Sequence, residues 1–144
     1  MKGIIMEYIY LNASFYNKYP QNIYPEIVQK RSRPYVQIVI SINSQKWAIP
    51  LRSNIMHKHV LWSNKAAKCG IDLSKAVPID DIDIERKATI RQIEFNQLKG
   101  KEYILKKKFE KYIAKYKAAK NNLSKQHNQT LVSCSTLQYF EEYL

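Results

Sequence analysis

The chain has 144 residues, 45% of them apolar, which is enough for one domain with its own core and too apolar for a disordered protein. Lys and Arg number 24 against 12 Asp and Glu, a formal charge of +12, and such a field draws polyanions, nucleic acid first among them. No apolar run nears the roughly 20 residues of a membrane span. Cys69 and Cys134 have no metal-type spacing and suit free thiols of a reducing cytoplasm. Glu7 and neighbouring tyrosines interrupt what would be the apolar core of a signal peptide, which argues against export.

Residues 4–11 ("IIMEYIYL") mix apolar and tyrosine positions like a first strand. Asn12 or Ser14 can cap a short helix that ends near Tyr19, before Pro20. The span 20–33 reads as an ordered loop with a turn of helix at "PEIVQK". The clearest β signal follows: "RPYVQIVISI" (33–42) is β-branched, "NSQ" (43–45) is a hairpin turn, and "KWAIPL" (46–51) returns. Short strands are predicted at 58–62 and 75–79, with one more in "DDIDIERKATI". From Gln92 the period becomes helical: Ile93, Leu98, Leu105, Phe109, Tyr112, Ile113 and Tyr116 recur at three- and four-residue steps. Gly100 divides a short helix from a longer one at 101–120. "NNLSKQHNQ" reads as a polar connection, and Ser133 or Ser135 starts a last short helix. Strands first and helices afterwards define a single α+β domain over 1–144.

The charge is unevenly placed. No acidic residue occurs from Ile27 to Ile71, where Lys30, Arg31, Arg33, Lys46, Arg52, Lys58, Lys65 and Lys68 all fall. A second block, Lys99 to Lys125, holds ten lysines against Glu102 and Glu110. Lys101, Lys107, Lys108, Lys111 and Lys115 of that block, with Lys30, Arg31 and His59, are candidate RNA contacts; the bland alternative is a basic solvated surface. Eleven tyrosines, among them Tyr16, Tyr19, Tyr24 and Tyr35 with polar neighbours, suit either stacking on unpaired bases or the core. No nucleotide loop, zinc pattern or nucleophile elbow is present, and no helix-turn-helix pattern favours duplex DNA. The acidic triple Asp80, Asp81 and Asp83 fits a solvated turn better than a metal site, so neither metal nor cofactor is expected.

The stretch "AIPLRSNIMHKH" (48–59) concentrates what chemistry remains. Cleaving RNA without a metal needs a base for the 2′-OH, an acid for the leaving 5′-oxygen, and cations for the crowded phosphorane. Arg52 can fork two phosphate oxygens, Ser53 can hydrogen-bond the phosphate or the 2′-OH, His57 titrates near neutrality, and Lys58 adds charge or a proton. The same residues also suit a strand–loop corner with its cations in water. Spacing alone leaves both readings open.

"RPYVQIVISINSQKWAIPLRSNIMHKH" followed by "GIDLSKAVPID" resembles the toxins of type III toxin–antitoxin systems, the ToxN/AbiQ group, and is most similar to its CptN/TenpN branch. The likeness runs through nearly the whole chain, including "EFNQLKGKEYI", "YIAKYKAA" and the "LQYF" ending. It implies a compact twisted antiparallel sheet, related to the small SH3-like barrels of Kid/MazF-type toxins, with added helices. It implies a metal-independent endoribonuclease that leaves a 2′,3′-cyclic phosphate in the bacterial cytoplasm. The implied inhibitor is a repetitive pseudoknot RNA, cut by the toxin itself and closing a cyclic assembly of several toxin copies. By position, Ser53 matches the active-site serine, Arg52 a small polar residue or arginine, and Arg33, with Lys30 nearby, a basic residue before the second strand. Where relatives carry a lysine two or three residues after the serine, this chain has Ile55 and Met56. Either Lys58 and His57 supply that function or the site is altered.

Overall fold

The computed structural model describes residues 6–30 and 34–144. Arg31 and Arg33, named above as an RNA contact and a catalytic residue, lie outside the described residues. In chain order the elements are β1 (Glu7–Leu11), α1 (Ala13–Lys18), β2 (Gln37–Ile42), β3 (Gln45–Arg52), β4 (Val60–Asn64), β5 (Cys69–Asp72), β6 (Val77–Ile79), β7 (Ile84–Lys87), α2 (Gln92–Leu98), α3 (Glu102–Lys120) and α4 (Gln126–Ser133). The domain is α+β, its helices mostly C-terminal. All strand pairs are antiparallel, in the order β4-β5-β3-β2-β1-β7, with β6 also on β3. The sheet ends at β4 and β7 and is not a closed barrel.

The β2–β3 hairpin forms where the sequence predicts it. Asn43 and Ser44 both adopt positive φ, 50° and 68°, the twist that joins two antiparallel strands through a two-residue turn. Gln45 therefore belongs to β3 and not to the turn. β3 pairs with β2 over residues 45–50; its other edge takes β6 at residues 46–48 and β5 at 51–52. β5 and β6 thus run along one edge of β3, interrupted by a 3-10 turn, Leu73–Lys75. That interruption sets the candidate site, because Asp72 caps the turn and Ser74 lies within it.

Helix α3 lies on the sheet through Leu105, Phe109, Tyr112 and Tyr116, one face at three- and four-residue steps. Phe109 meets Trp47 edge-on, with ring centroids 5.2 Å apart. Removing either ring would cost about 3–5 kcal/mol. Tyr19 and Tyr24 pack edge-to-face with each other, and reach Phe140 and Tyr139 respectively, at 5.1–5.4 Å. These tyrosines and Tyr16 belong to the core periphery and not to a base-stacking surface.

Several sequence expectations are corrected. β5 was not predicted: "CGID" is four residues long with a glycine, too short for a pattern. α4 occupies the stretch expected as a polar connection; none of its residues is buried, so it shows no strong apolar face. "PEIVQK" makes turns and no helix. The last segment forms two 3-10 turns, Thr136–Tyr139 and Glu141–Tyr143, in place of one α-helix. Ile93, expected on the core stripe, is 64% exposed. No helix among the described residues is long and apolar enough to cross a membrane.

Candidate functional site

The loop from β3 to β4 (53–59) is fixed at both ends. The Ile55 N–H donates to the Lys68 carbonyl (3.1 Å), and the Leu73 N–H donates to the His59 carbonyl (3.0 Å). The Ile55 side chain plugs the loop into the interior at 3% exposure, so this position could not present a lysine to solvent without refolding the loop. Met56 is exposed beside it. β4 and β5 approach so closely that a Cβ on Gly70 would stand 2.6 Å from the Leu61 carbonyl oxygen. This hairpin brings His57–His59 against the Leu73–Lys75 turn.

At the meeting point the Asp72 carboxylate is wholly buried and every donor around it aims at it. Arg52 Nη1 donates to Oδ2 at 2.6 Å. Oδ1 accepts from the Ser74 hydroxyl (2.6 Å) and the Ser74 N–H (3.0 Å), and lies 3.0 Å from His57 Nε2. Burial pushes this carboxyl up, yet the His57 and Ser74 hydrogen bonds, the His57 charge and the Arg52 hydrogen bond outweigh it and hold it at about 2. The His59 backbone N–H donates to His57 Nδ1 at 3.0 Å. In that bond Nδ1 accepts, which leaves Nε2 to carry the ring's proton toward Asp72. Both ring nitrogens of His57 are therefore engaged, and the side chain is built to position its surroundings. Arg52 is likewise committed to Asp72, and its buried Nε has no hydrogen-bond partner among the described residues.

His59 differs. Its ring nitrogens make no protein hydrogen bond among the described residues, and the ring packs against Tyr112 (centroids 5.2 Å) and His57 (5.5 Å). Burial above all, then the charges of His57, Lys115 and Lys58, pushes it down to about 4 against the opposing pull of Asp72. His59 is thus a neutral imidazole with a free lone pair at neutral pH.

Three clefts converge on it, and Lys58 and His59 line all three. The largest, about 1030 Å³, follows the free edge of β4 past Trp62 and Ile93 to Lys65, Lys101 and Lys108. The second, about 560 Å³, lies between α3 and α4 and includes Lys115, Ser74 and His57. A small cleft of about 90 Å³ joins them under Lys108, Lys111 and Lys115. Lys101, Lys108, Lys111 and Lys115 share one helical face, so the lysine pattern becomes a wall of one trough.

Other predicted residues stand elsewhere. Ser53 is exposed in the turn after β3, makes no side-chain hydrogen bond among the described residues, and lines none of the three clefts. Lys107 points off the trough, pairing with Glu110 at 3.6 Å and lying over Tyr103. Lys30 lies over the Tyr35 ring, outside the clefts. Asp81 and Asp83 pair with Lys46 (2.6 Å) and Lys18 (3.2 Å). Sequence reasoning missed Asp72 and Ser74, although "DLS" carries the signal of a side chain capping its own turn. It also gave the titrating role to His57 where His59 has the free nitrogens.

Compared with family models, curated proteins and solved structures, the chain matches none.

Proposed function

We propose that this chain is a metal-independent endoribonuclease, a type III toxin of the ToxN/AbiQ group close to its CptN/TenpN branch. The observation that carries this reading is His59: a neutral imidazole with no protein hydrogen bond among the described residues, at the junction of lysine-walled clefts. In the proposed step the His59 nitrogen takes the 2′-OH proton and O2′ attacks phosphorus. The P–O5′ bond breaks, and the leaving oxygen takes a proton from the Lys58 ammonium, giving a 2′,3′-cyclic phosphate and a 5′-hydroxyl. Lys108, Lys111 and Lys115 balance charge on the phosphorane and strand. Asp72, His57, Arg52 and Ser74 hold the loop that presents His59. Ser53 enters through the family resemblance, as a phosphate or 2′-OH contact from the start of the same loop. The open sheet is read as a variant of the Kid/MazF-type small barrel. The repetitive pseudoknot RNA is the proposed inhibitor, processed by the chain and closing a cyclic assembly of several copies, with cellular RNA as target in the bacterial cytoplasm and phage defence as the outcome.

The test is incubation of purified protein with RNA in EDTA, followed by analysis of the ends. Cyclic-phosphate and 5′-hydroxyl ends, lost in His59→Gln and reduced in Ser53→Ala, are expected; 5′-phosphate ends or intact RNA would refute the reading. One observation favours a second reading. Arg52 and His57 are both engaged with Asp72, as in a purely structural network, and a non-catalytic RNA-binding protein would keep RNA bound and uncut.

A further inference from the structure

Of the cleft between α3 and α4, the step above uses Lys58, His59 and Lys115 and leaves the rest of the lining idle. Its floor is apolar: Tyr112, Ala119 and Leu131, with Ala118 beside them. α3 is otherwise rich in long side chains, and Ala118–Ala119 near its end leave space because their side chains stop at Cβ. The volume of about 560 Å³ falls in the range of small-ligand sites, about 300–1,000 Å³. The rim is polar at the α4 side, with His127, Asn128 and Thr130. Asn128 donates its Nδ2 to the Asn122 carbonyl (2.9 Å), and its Oδ1 has no protein partner among the described residues. His127 is exposed at the same rim and makes no side-chain hydrogen bond among the described residues. Positive charge enters only where the cleft opens, at Lys58 and Lys115 beside His59.

An apolar floor that includes the Tyr112 ring, a hydrogen-bonding rim and nearby cations match one chemical unit: a planar heterocycle tethered to an anion. We propose that this cleft takes a single unpaired base of the RNA strand whose adjacent phosphate lies at His59, and that it sets the sequence preference of cleavage. The proposal rests on the endoribonuclease reading. It makes the β4 trough the path of the strand and the helical hairpin its reader. Base stacking and edge contacts are effective here because the floor is apolar and Lys58 and Lys115 stand ready for the phosphate.

Ala118→Leu fills the cleft from an exposed helical position and keeps a strong helix former. Binding is read by fluorescence anisotropy with short single-stranded 2′-O-methyl RNA, which cannot be cut by 2′-OH attack, each base being replaced in turn by an abasic residue. In the parent chain one position should cost about tenfold in affinity, and in Ala118→Leu no position should stand out. His127→Ala, which removes no protein hydrogen bond among the described residues, should lower the cost at that same position. Identical abasic profiles in parent and Ala118→Leu would overturn the proposal. Cleavage in EDTA is scored separately. If the parent cuts RNA and the profiles agree, the base site alone falls; if it leaves RNA intact while Ala118→Leu flattens the profile, the nuclease reading falls and the base site stands.

Discussion

The Asp72 carboxylate is buried without being neutral because its two oxygens accept from Arg52, His57 and Ser74, the last twice. Its folded value of about 2 lies below the ordinary carboxylate value of 3.8. The resulting stability is complete above about pH 4 and is lost as pH falls through 2. Asp72→Asn should therefore lower unfolding free energy by about 3 kcal/mol at neutral pH, and the gap between variant and parent should narrow below pH 4. Urea titrations across pH measure it, and a gap unchanged down to pH 2 would contradict the ionised network. His59 is shifted in the sense of a base kept unprotonated, to about 4. Its ring-proton NMR titration should centre near pH 4, and the acid limb of kcat/KM should fall there and not near 6.5. His59→Gln should cost about 10²–10⁴ in kcat; a limb near 6.5 that survives this substitution would assign the base to another group.

At the scale of elements, the site depends on how tightly β4 and β5 cross. Gly70 pairs with Trp62 on one side and Arg52 on the other, and an added Cβ would meet the Leu61 carbonyl oxygen at 2.6 Å and Val60 Cγ2 at 2.7 Å. Backbone cannot yield there as a flexible side chain can, so Gly70→Ala should cost about 1–3 kcal/mol and loosen the loop that presents His59. Thermal melts would show the first effect, and faster amide exchange at Leu73 the second. This hairpin also explains what the sequence conceals. β2, β3 and α3 are legible because β2 is a β-branched run, β3 an apolar run buried on both faces at 47–50, and α3 a long helical stripe. β5 is four residues, and its role comes from its partners β3 and β4. Arg52 and His57 are visible as a local cluster, but Asp72 joins them only through the Leu51↔Ile71 register. The exchange of roles between His57 and His59 turns on one backbone amide, the His59 N–H on Nδ1, which no side-chain pattern encodes.

For the molecule as a whole, the useful quantity is which of the excess cations face one surface. Six lysines line the joined clefts: Lys58, Lys65, Lys101, Lys108, Lys111 and Lys115. Lys46, Lys18 and Lys75 are held in ion pairs with Asp81, Asp83 and Glu26, and Lys107 lies on another face beside Glu110. Each phosphate neutralised on a single strand contributes about −0.7 to the slope of log K against log salt, so six contacts give roughly −4. Replacing Lys108, Lys111 and Lys115 together by Ala should reduce the slope by about 2 and weaken binding most at low salt. Lys107→Ala, although it removes the same charge from the same helix, should leave the slope unchanged. If Lys107→Ala and a single trough variant such as Lys111→Ala move the slope equally, RNA is attracted by net charge alone and the trough is not its path. If only the trough variants move it, the acid-free segment and the lysine helix are two walls of one binding surface, with His59 between them.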